Sequence, residues 1–265
     1  MFKHALLAQL ALAMAKKDKP FFCLDTHAGI GRYDLMHEWA QKNAEYKDGI
    51  ARIWERADAP PAMSAYLDAV RAENAQGGLQ FYPGSPRILR RLMRRGDRLA
   101  LTELNKKDCA TLEELFRGDR QVHVRLLDGY QGLLALLPPP ERRGLVLIDS
   151  SFDRAHEFDR LIEGFAKAYR KFATGVYALW YPLMEPAAMV AFERAVKATG
   201  IRKILQLELA VHDVGWSGYL RGCGMLVVNP PYGFEAAARE ILDWIWPALA
   251  ADSAGGTRVQ WLAGE

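Results

Sequence analysis

Three short stretches of the 265-residue sequence place acids where chemistry can be done. Phe21-Phe22-Cys23-Leu24-Asp25 is an apolar run that ends in a carboxylate and passes into Thr26-His27-Ala28-Gly29-Ile30-Gly31. This predicts a buried strand opening into a tight turn, with Gly29 where backbone can approach a ligand closely. Glu103 closes a second apolar run and Asp128-Gly129 follows a third. Acids at the carboxyl ends of neighbouring strands are where open α/β sheets hold nucleoside-like cofactors. Glu103 is then placed to accept from two ribose hydroxyls, and Asp128 from an adenine amino group. Each acid can instead cap a following helix; their shared place at successive strand ends favours a site.

The glycine turn narrows the ligand. Asp25-x-His27-x-Gly29-x-Gly31 departs from the dinucleotide fingerprint, because the third glycine would fall at Asp34, whose charge would face a pyrophosphate. A neutral or cationic ligand suits the turn better, and S-adenosylmethionine, with a sulfonium and no phosphate, meets that requirement. Taken alone, the glycine pair fits a structural turn equally well.

The elements that must position these residues follow from periodicity. Strand-like apolar runs recur at 21–25, 99–104, 122–127, 145–149, 176–180, 204–209 and 225–228, mostly separated by segments long enough for a helix. The alternation predicts an α/β fold with a mostly parallel sheet covered on both faces. The glycine-rich interval 212–224 favours an antiparallel pair for the last two strands. Between Tyr33 and Leu99 the segments 51–54, 63–72 and 87–95 look helical, broken by Pro60-Pro61 and Tyr82-Pro83-Gly84-Ser85-Pro86. We read this as a helical insertion at about 45–96 within a single domain spanning 1–265. Residues 2–15 imitate a secretory signal, with Ala11-Leu12-Ala13 as the cleavage-like end. Leu6, Leu7, Leu10 and Met14 also fit one face of a helix, which is the reading adopted.

Bulk properties permit a nucleic-acid partner without demanding one: 35 Lys and Arg stand against 32 Asp and Glu, a net charge of +3. Cys23, Cys109 and Cys223 are odd in number and far apart, so they build neither a disulfide framework nor a metal site and suit the cytoplasm. His123, His156 and His212 have no metal-ligand spacing either.

Several words of the sequence, in order, resemble the bacterial RlmJ family. They are Lys3-His4, Leu24-Asp25-Thr26-His27-Ala28-Gly29, Gly31-Arg32-Tyr33, Tyr82-Pro83-Gly84-Ser85-Pro86, Leu101-Thr102-Glu103-Leu104, Asp128-Gly129, Ala178-Leu179-Trp180-Tyr181-Pro182 and Gly200 through Gln206. The resemblance implies a Rossmann-like, seven-stranded class I fold and S-adenosylmethionine-dependent methylation of adenine N6 in 23S ribosomal RNA. It implies that His4, His27, Ser85, Glu103, Asp128 and Gly129 contact the cofactor and that Asp149 touches both cofactor and substrate. The expected partner is 23S rRNA, naked or in an early assembly intermediate, with no membrane and the protein acting as a monomer. It also implies a leading segment before Lys3, carrying Tyr-Arg-His and His-Ala-Gly-Asn runs, relative to which this chain is shortened.

Amino-methyltransferases hold the target amine with an Asp/Asn-Pro-Pro-aromatic loop. The acid and the next carbonyl accept the N6 hydrogens, and the ring stacks on an extruded base. In the family that loop follows the fourth strand, where this chain reads Asp149-Ser150-Ser151-Phe152. The carboxylate and the ring remain, so Asp149 and Phe152 are the candidate catalytic residues. Losing two prolines costs about 0.4–1 kcal/mol each in chain entropy where the geometry is compatible. Asn229-Pro230-Pro231-Tyr232 matches the motif better by letter, but follows the last strand run and reads as a rigid turn. Arg87, Arg90, Arg91, Arg94 and Arg95 recur at helical spacing and form either an RNA-facing stripe or a solvated face. Trp180-Tyr181-Pro182 can wall a base pocket or belong to the core. The alternatives to a methyltransferase are a catalytically impaired paralogue acting as an RNA-binding or ribosome-assembly protein, and a nicotinamide-dependent oxidoreductase.

Overall fold

The run at 21–25 forms a strand, Phe22–Asp25, buried at every position, because neighbours pair with it on both edges and helices cover both faces. The structure, a computed structural model, describes residues 1–152, 156–216, 220–250 and 254–264, apart from the side chains of Trp39 and Asn43. In chain order it comprises α1 (Phe2–Ala15), β1 (Phe22–Asp25), β2 (Arg32–Asp34), α2 (Glu38–Asn43), α3 (Pro61–Glu73), β3 (Phe81–Pro83) and α4 (Ser85–Leu92). Then come β4 (Arg98–Glu103), α5 (Lys106–Leu115), β5 (Val122–Leu126), α6 (Gly129–Leu136), β6 (Gly144–Ile148), α7 (Glu157–Lys171) and β7 (Val176–Pro182). The chain closes with α8 (Pro186–Ala198), β8 (Ile204–Ala210), β9 (Gly222–Val228), α9 (Phe234–Leu249) and β10 (Gly256–Ala263).

Eight strands make one sheet in the order β5-β4-β1-β6-β7-β9-β8-β10. The first five are parallel; β9 lies antiparallel between β7 and β8. All seven runs read from the sequence become strands, and the last two pair antiparallel as expected. Residues 217–219, inside the interval read as their connection, lie outside the described residues. The eighth strand, β10, adds antiparallel to β8 at the edge.

Strand polarity gives the sheet two chemically different ends. In the parallel register Asp25 lies level with Leu101 and Leu147, and Glu103 with Leu126. The acids that end β1 and β4 and follow β5 and β6 therefore emerge on one edge. β9 runs the other way: Val228 pairs with Tyr177, near the start of β7. Asn229-Pro230-Pro231-Tyr232 consequently leaves the sheet at the opposite, amino edge.

One face of the sheet carries α1, α3, α4, α5 and α9 in a single apolar cluster, and the other carries α6, α7 and α8. The one-sided helix expected at 2–15 is instead apolar nearly all round. Leu6, Leu7 and Leu10 have no exposed surface and Ala5, Ala8 and Ala11 none either, because α3, α4 and α9 surround the helix. Each leucine buried there contributes about 1.5–3 kcal/mol.

The segment between β1 and β4 differs in detail from its sequence reading. The stretch at 51–54 is a short 3-10 turn at Ile50–Arg52, and Tyr82-Pro83 belongs to a three-residue ribbon, β2 with β3. The helix expected at 87–95 begins earlier, with Ser85 and Pro86 in its first turn, and ends at Leu92. Arg94 cannot continue it, because its backbone N–H donates 2.7 Å to Asp97 Oδ2 and turns the chain toward β4.

Candidate functional site

A cleft of about 900 Å³ opens at the carboxyl edge of the sheet, within the size range of ligand pockets. Its floor is the turn after β1. Gly29 holds φ at +61°, and a Cβ there would meet the Tyr33 hydroxyl at 2.6 Å. Its N–H donates 2.8 Å to Glu103 Oε2, while Glu103 Oε1 accepts from the Asn105 N–H at 2.8 Å. Both carboxylate oxygens keep a further lone pair for a ligand.

Across the floor, Asp128 Oδ1 accepts the Tyr130 and Gln131 N–H groups and caps α6, as the structural alternative foresaw. Its Oδ2 lies 3.4 Å from the Arg160 guanidinium and faces the cleft with it. Gly129 is required by close approach: a Cβ would come within 2.4 Å of the Thr26 carbonyl and 2.7 Å of the His27 ring. His27 lies in contact with this glycine, its Nδ1 2.8 Å from the Thr26 hydroxyl, and burial lowers its pKa.

Beneath the floor is a second layer. Asp25 has no exposed surface, and its Oδ2 has no hydrogen-bond partner. Burial pushes its carboxyl up to about 6, opposed in part by the Ser85 hydroxyl. His4, on the first turn of α1, stacks on Tyr82 and shares a 2.8 Å hydrogen bond through Nδ1 with that hydroxyl. Tyr82 in turn lies 3.0 Å from the hydroxyl of Tyr66 on α3. Burial holds His4 well below the ordinary imidazole range, so the ring is neutral at pH 7.

The loop after β6 forms one wall. Asp149 is largely buried, and its Oδ2 is ion-paired with the Lys3 ammonium from α1. Phe152 adopts φ +52°, the left-handed region that side-chain-bearing residues rarely occupy. Its ring packs edge-on against Phe158 and against Trp180, which lines the cleft.

Other lining residues carried no sequence signal. Glu157 is buried and accepts from the Tyr130 hydroxyl at 2.6 Å and from Arg160 at 3.1 Å. Asp108, Leu220 and Cys223 complete the rim. Lys3 was visible only as half of a Lys-His pair; nothing local links it to a carboxylate 146 positions away.

The second candidate loop is engaged structurally. The Asn229 amide donates 2.9 Å to the Ala173 carbonyl and 2.8 Å to that of Gly175, pinning the turn after β9. The arginine stripe is also largely neutralised. Arg87 pairs with Glu73, Arg90 with Asp119 and Arg94 with Asp97.

Comparison with known proteins places this geometry. Residues 18–263 match the family profile described as "Ribosomal RNA large subunit methyltransferase D, RlmJ". The chain belongs to the RlmJ family. Ribosomal RNA large subunit methyltransferase J of Escherichia coli K12 is 42% identical over 265 residues, covering 100% of this chain and 95% of that one. The same-named protein of Haemophilus influenzae is 38% identical over 266 residues, with the same coverage. A crystal structure of a Legionella pneumophila protein superposes with a TM-score of 0.90 at 34% identity, covering 100% of this chain and 96% of that one.

Set against the residues expected from the sequence and the RlmJ resemblance, the cleft brings together His27, Gly29, Glu103, Asp128, Gly129 and Asp149. His4 and Ser85 lie buried rather than on its lining, and Phe152 stands behind Trp180.

Proposed function

We propose that this chain is an S-adenosylmethionine-dependent methyltransferase acting on the N6 of an adenine in 23S ribosomal RNA, in the cytoplasm. The observation that carries the reading is one cleft holding an ion-paired carboxylate after β6 beside the glycine turn and acids of β1, β4 and β5. The same reading takes 1–265 as one domain with a helical insertion at about 45–96, supported by α3 sharing a core with α1 and α9. Among the described residues no helix is long and apolar enough to cross a membrane. The protein would act as a monomer on naked rRNA or an early assembly intermediate.

The residues present fit S-adenosylmethionine. The unpartnered Oδ2 of Asp25 suits an ammonium group, and Glu103 has lone pairs left for ribose hydroxyls. Asp128 is placed for an adenine amino group, and the missing Cβ atoms of Gly29 and Gly129 let backbone approach closely. His27 borders the same floor; Ser85 and His4 support it from below, Ser85 on the Asp25 carboxylate and His4 through Tyr82. When bound, the cofactor supplies an electrophilic methyl group on a sulfonium.

The chain's own residues supply positioning. Lys3 engages Asp149 Oδ2 and leaves Oδ1 to accept a hydrogen from the target amine. The Ser150 carbonyl, next along the loop, offers a second acceptor. Holding the lone pair in line is the main help such a reaction needs, since an exocyclic amine requires little acid–base chemistry before the new bond forms. Asp149 then gives the departing proton a place to go. Trp180, with Phe152 edge-on behind it, provides the aromatic wall for an extruded base.

The test is transfer of a labelled methyl group from S-adenosylmethionine to 23S rRNA, followed by nucleoside analysis. N6-methyladenosine is the expected product. Tight S-adenosylhomocysteine binding with no transfer to any 23S transcript would favour the impaired, RNA-binding paralogue instead.

A further inference from the structure

We infer that the amino edge of the sheet carries a second RNA contact, a basic cleft that grips phosphates while Tyr232 offers a stacking surface. The inference rests on the reading of the substrate as rRNA and goes beyond it by locating where the polyanion is held. Its starting point is an electrostatic deficit. The side chains lining the catalytic cleft include five carboxylates, Glu103, Asp108, Asp128, Asp149 and Glu157, against the two cations Lys3 and Arg160. Such a pocket receives a base but repels the phosphates attached to it. Most affinity for RNA comes from cations on phosphates, so it must come from elsewhere on the molecule. Of the five arginines at 87–95, Arg87, Arg90 and Arg94 are already paired with acids, which leaves only Arg91 and Arg95 there to meet phosphates.

At the opposite end, a cleft of about 910 Å³ is lined by Lys16, Lys17, Lys19, Arg142 and Arg143, with Asp18 as its one acid. That local excess of four positive charges exceeds the +3 of the whole chain. The protein's basic character is therefore concentrated at this edge. Among the described residues, Lys16, Lys17, Lys19 and Arg142 have no carboxylate within ion-pair distance, and all four are exposed. Acids on the adjoining elements are already engaged: Asp97 by Arg94, Asp119 by Arg90 and Glu141 by Arg98.

The cationic loop is also built rather than loose. Arg94 donates to the carbonyls of Ala15, Lys17 and Lys19, and Arg143 to those of Met14 and Lys19. Two guanidiniums thus fix the backbone from which three lysines project. Beside them the turn pinned by Asn229 presents Tyr232 with its side chain fully exposed, at 101%. An aromatic face next to a cationic groove is how sequence-tolerant single-strand binding is made.

Two elements run from one cleft to the other. β6 begins with Gly144 in the basic cleft and ends beside Asp149 in the catalytic one; α1 carries Lys3 at one end and Met14 at the other. A strand of that length spans roughly 15–20 Å, so an RNA reaching both clefts must wrap the protein, and a mononucleotide cannot.

The experiment uses the full chain, S-adenosylhomocysteine and a 23S rRNA transcript. The triple variant Lys16→Glu/Lys17→Glu/Arg142→Glu changes exposed, unpartnered side chains and should melt like the parent. It should bind the transcript about 10- to 100-fold more weakly at ~0.15 M salt, with a salt slope shallower by about 2–3, from ~0.7–0.9 per lost contact. KM for the transcript should rise to match while kcat and S-adenosylhomocysteine affinity hold. Tyr232→Ala alone should weaken RNA binding about fivefold or more without changing the slope. Unchanged affinity and slope in the triple variant, with the parent binding RNA normally, would overturn this inference alone. Failure of the parent to bind the transcript would overturn the functional reading and this one together. If the triple variant lost only binding to phosphatidylglycerol vesicles and kept its RNA affinity, the occupant named here would be wrong.

Discussion

Two loops of the same pattern, though with no residue in common, stand at opposite ends of one sheet. Asp149-Ser150-Ser151-Phe152 and Asn229-Pro230-Pro231-Tyr232 each offer an oxygen-bearing side chain, two intervening residues and an aromatic ring. The second is the better motif by letter, yet its amide is occupied by two carbonyls and its ring points into solvent. The first has lost both prolines, but its carboxylate sits in a cleft with an ammonium on one oxygen and its ring is packed against a lining tryptophan. The direction of the preceding strand separates them: β6 runs parallel to the cofactor-side strands and β9 against them. A short motif thus has meaning only together with the polarity of the strand that delivers it.

The comparison can be broken most sharply at Asp149. Asp149→Asn should lower kcat by about 10²–10³-fold, the usual loss for one aimed polar group, with S-adenosylhomocysteine affinity changed only a few-fold by calorimetry. Near-normal turnover on 23S rRNA would move the chemistry elsewhere. Lys3→Met should cost about 10- to 100-fold in kcat, because the carboxylate loses the contact that fixes its rotamer; an unchanged rate would reduce the ion pair to packing.

The carboxyl end should also respond to pH. Asp25 titrates near 6 in the free protein against an ordinary 3.8, so an ammonium-bearing ligand must displace a proton below that point. Affinity for S-adenosylhomocysteine should level off about a unit above this value and fall toward tenfold per unit well below it, a dependence that Asp25→Asn should flatten. Because the folded pKa is raised, the same group lowers stability as pH climbs from about 4 through about 6. A flat binding profile from pH 5 to 7 would deny Asp25 this role.

The smallest effect belongs to the other loop. Asn229→Ala should cost about 1–3 kcal/mol in unfolding free energy, through two lost hydrogen bonds at a half-buried turn, and leave kcat unchanged. A collapse of kcat with stability intact would reverse the assignment of the two loops.

Most of the seven strands were legible because buried strands of a covered sheet read as apolar runs, while the edge strand β5, largely exposed, was legible from the alternation of Val122, Val124 and Leu126 with His123 and Arg125. β10 was not, since its exposed Thr257, Arg258 and Gln260 interrupt the pattern and its pairing depends on β8. That omission hid a network in which the exposed Arg258 reaches Glu193 and Glu208, while the buried Gln206 and Tyr181 also bond to Glu208. From the sequence Glu208 carried no signal. Glu103, Asp128 and Asp149 were readable from their places at strand ends, whereas Asp108 and Glu157, which sit on helices, and the partners of all five were not. Lys3 and Asp149, or Arg90 and Asp119, meet only after folding, so a basic stripe looked free when its counter-ions lay elsewhere in the chain. The amphipathic pattern of α1 was misread for a similar reason: its outer face is apolar enough to be buried, and only the surrounding helices show that it is.

The row of three side chains from Tyr66 through Tyr82 to His4 has a directional consequence. The Tyr66 hydroxyl is buried and, among the described residues, has only Tyr82 to receive its hydrogen. Tyr82 must then pass its own hydrogen to Nδ1 of the imidazole, which fixes the Nε2–H tautomer. A residue on α3, remote in sequence from the first turn of the chain, thereby decides that His4 offers a donor rather than a lone pair. Tyr66→Phe would leave that polarity free to invert without displacing a heavy atom of the ring.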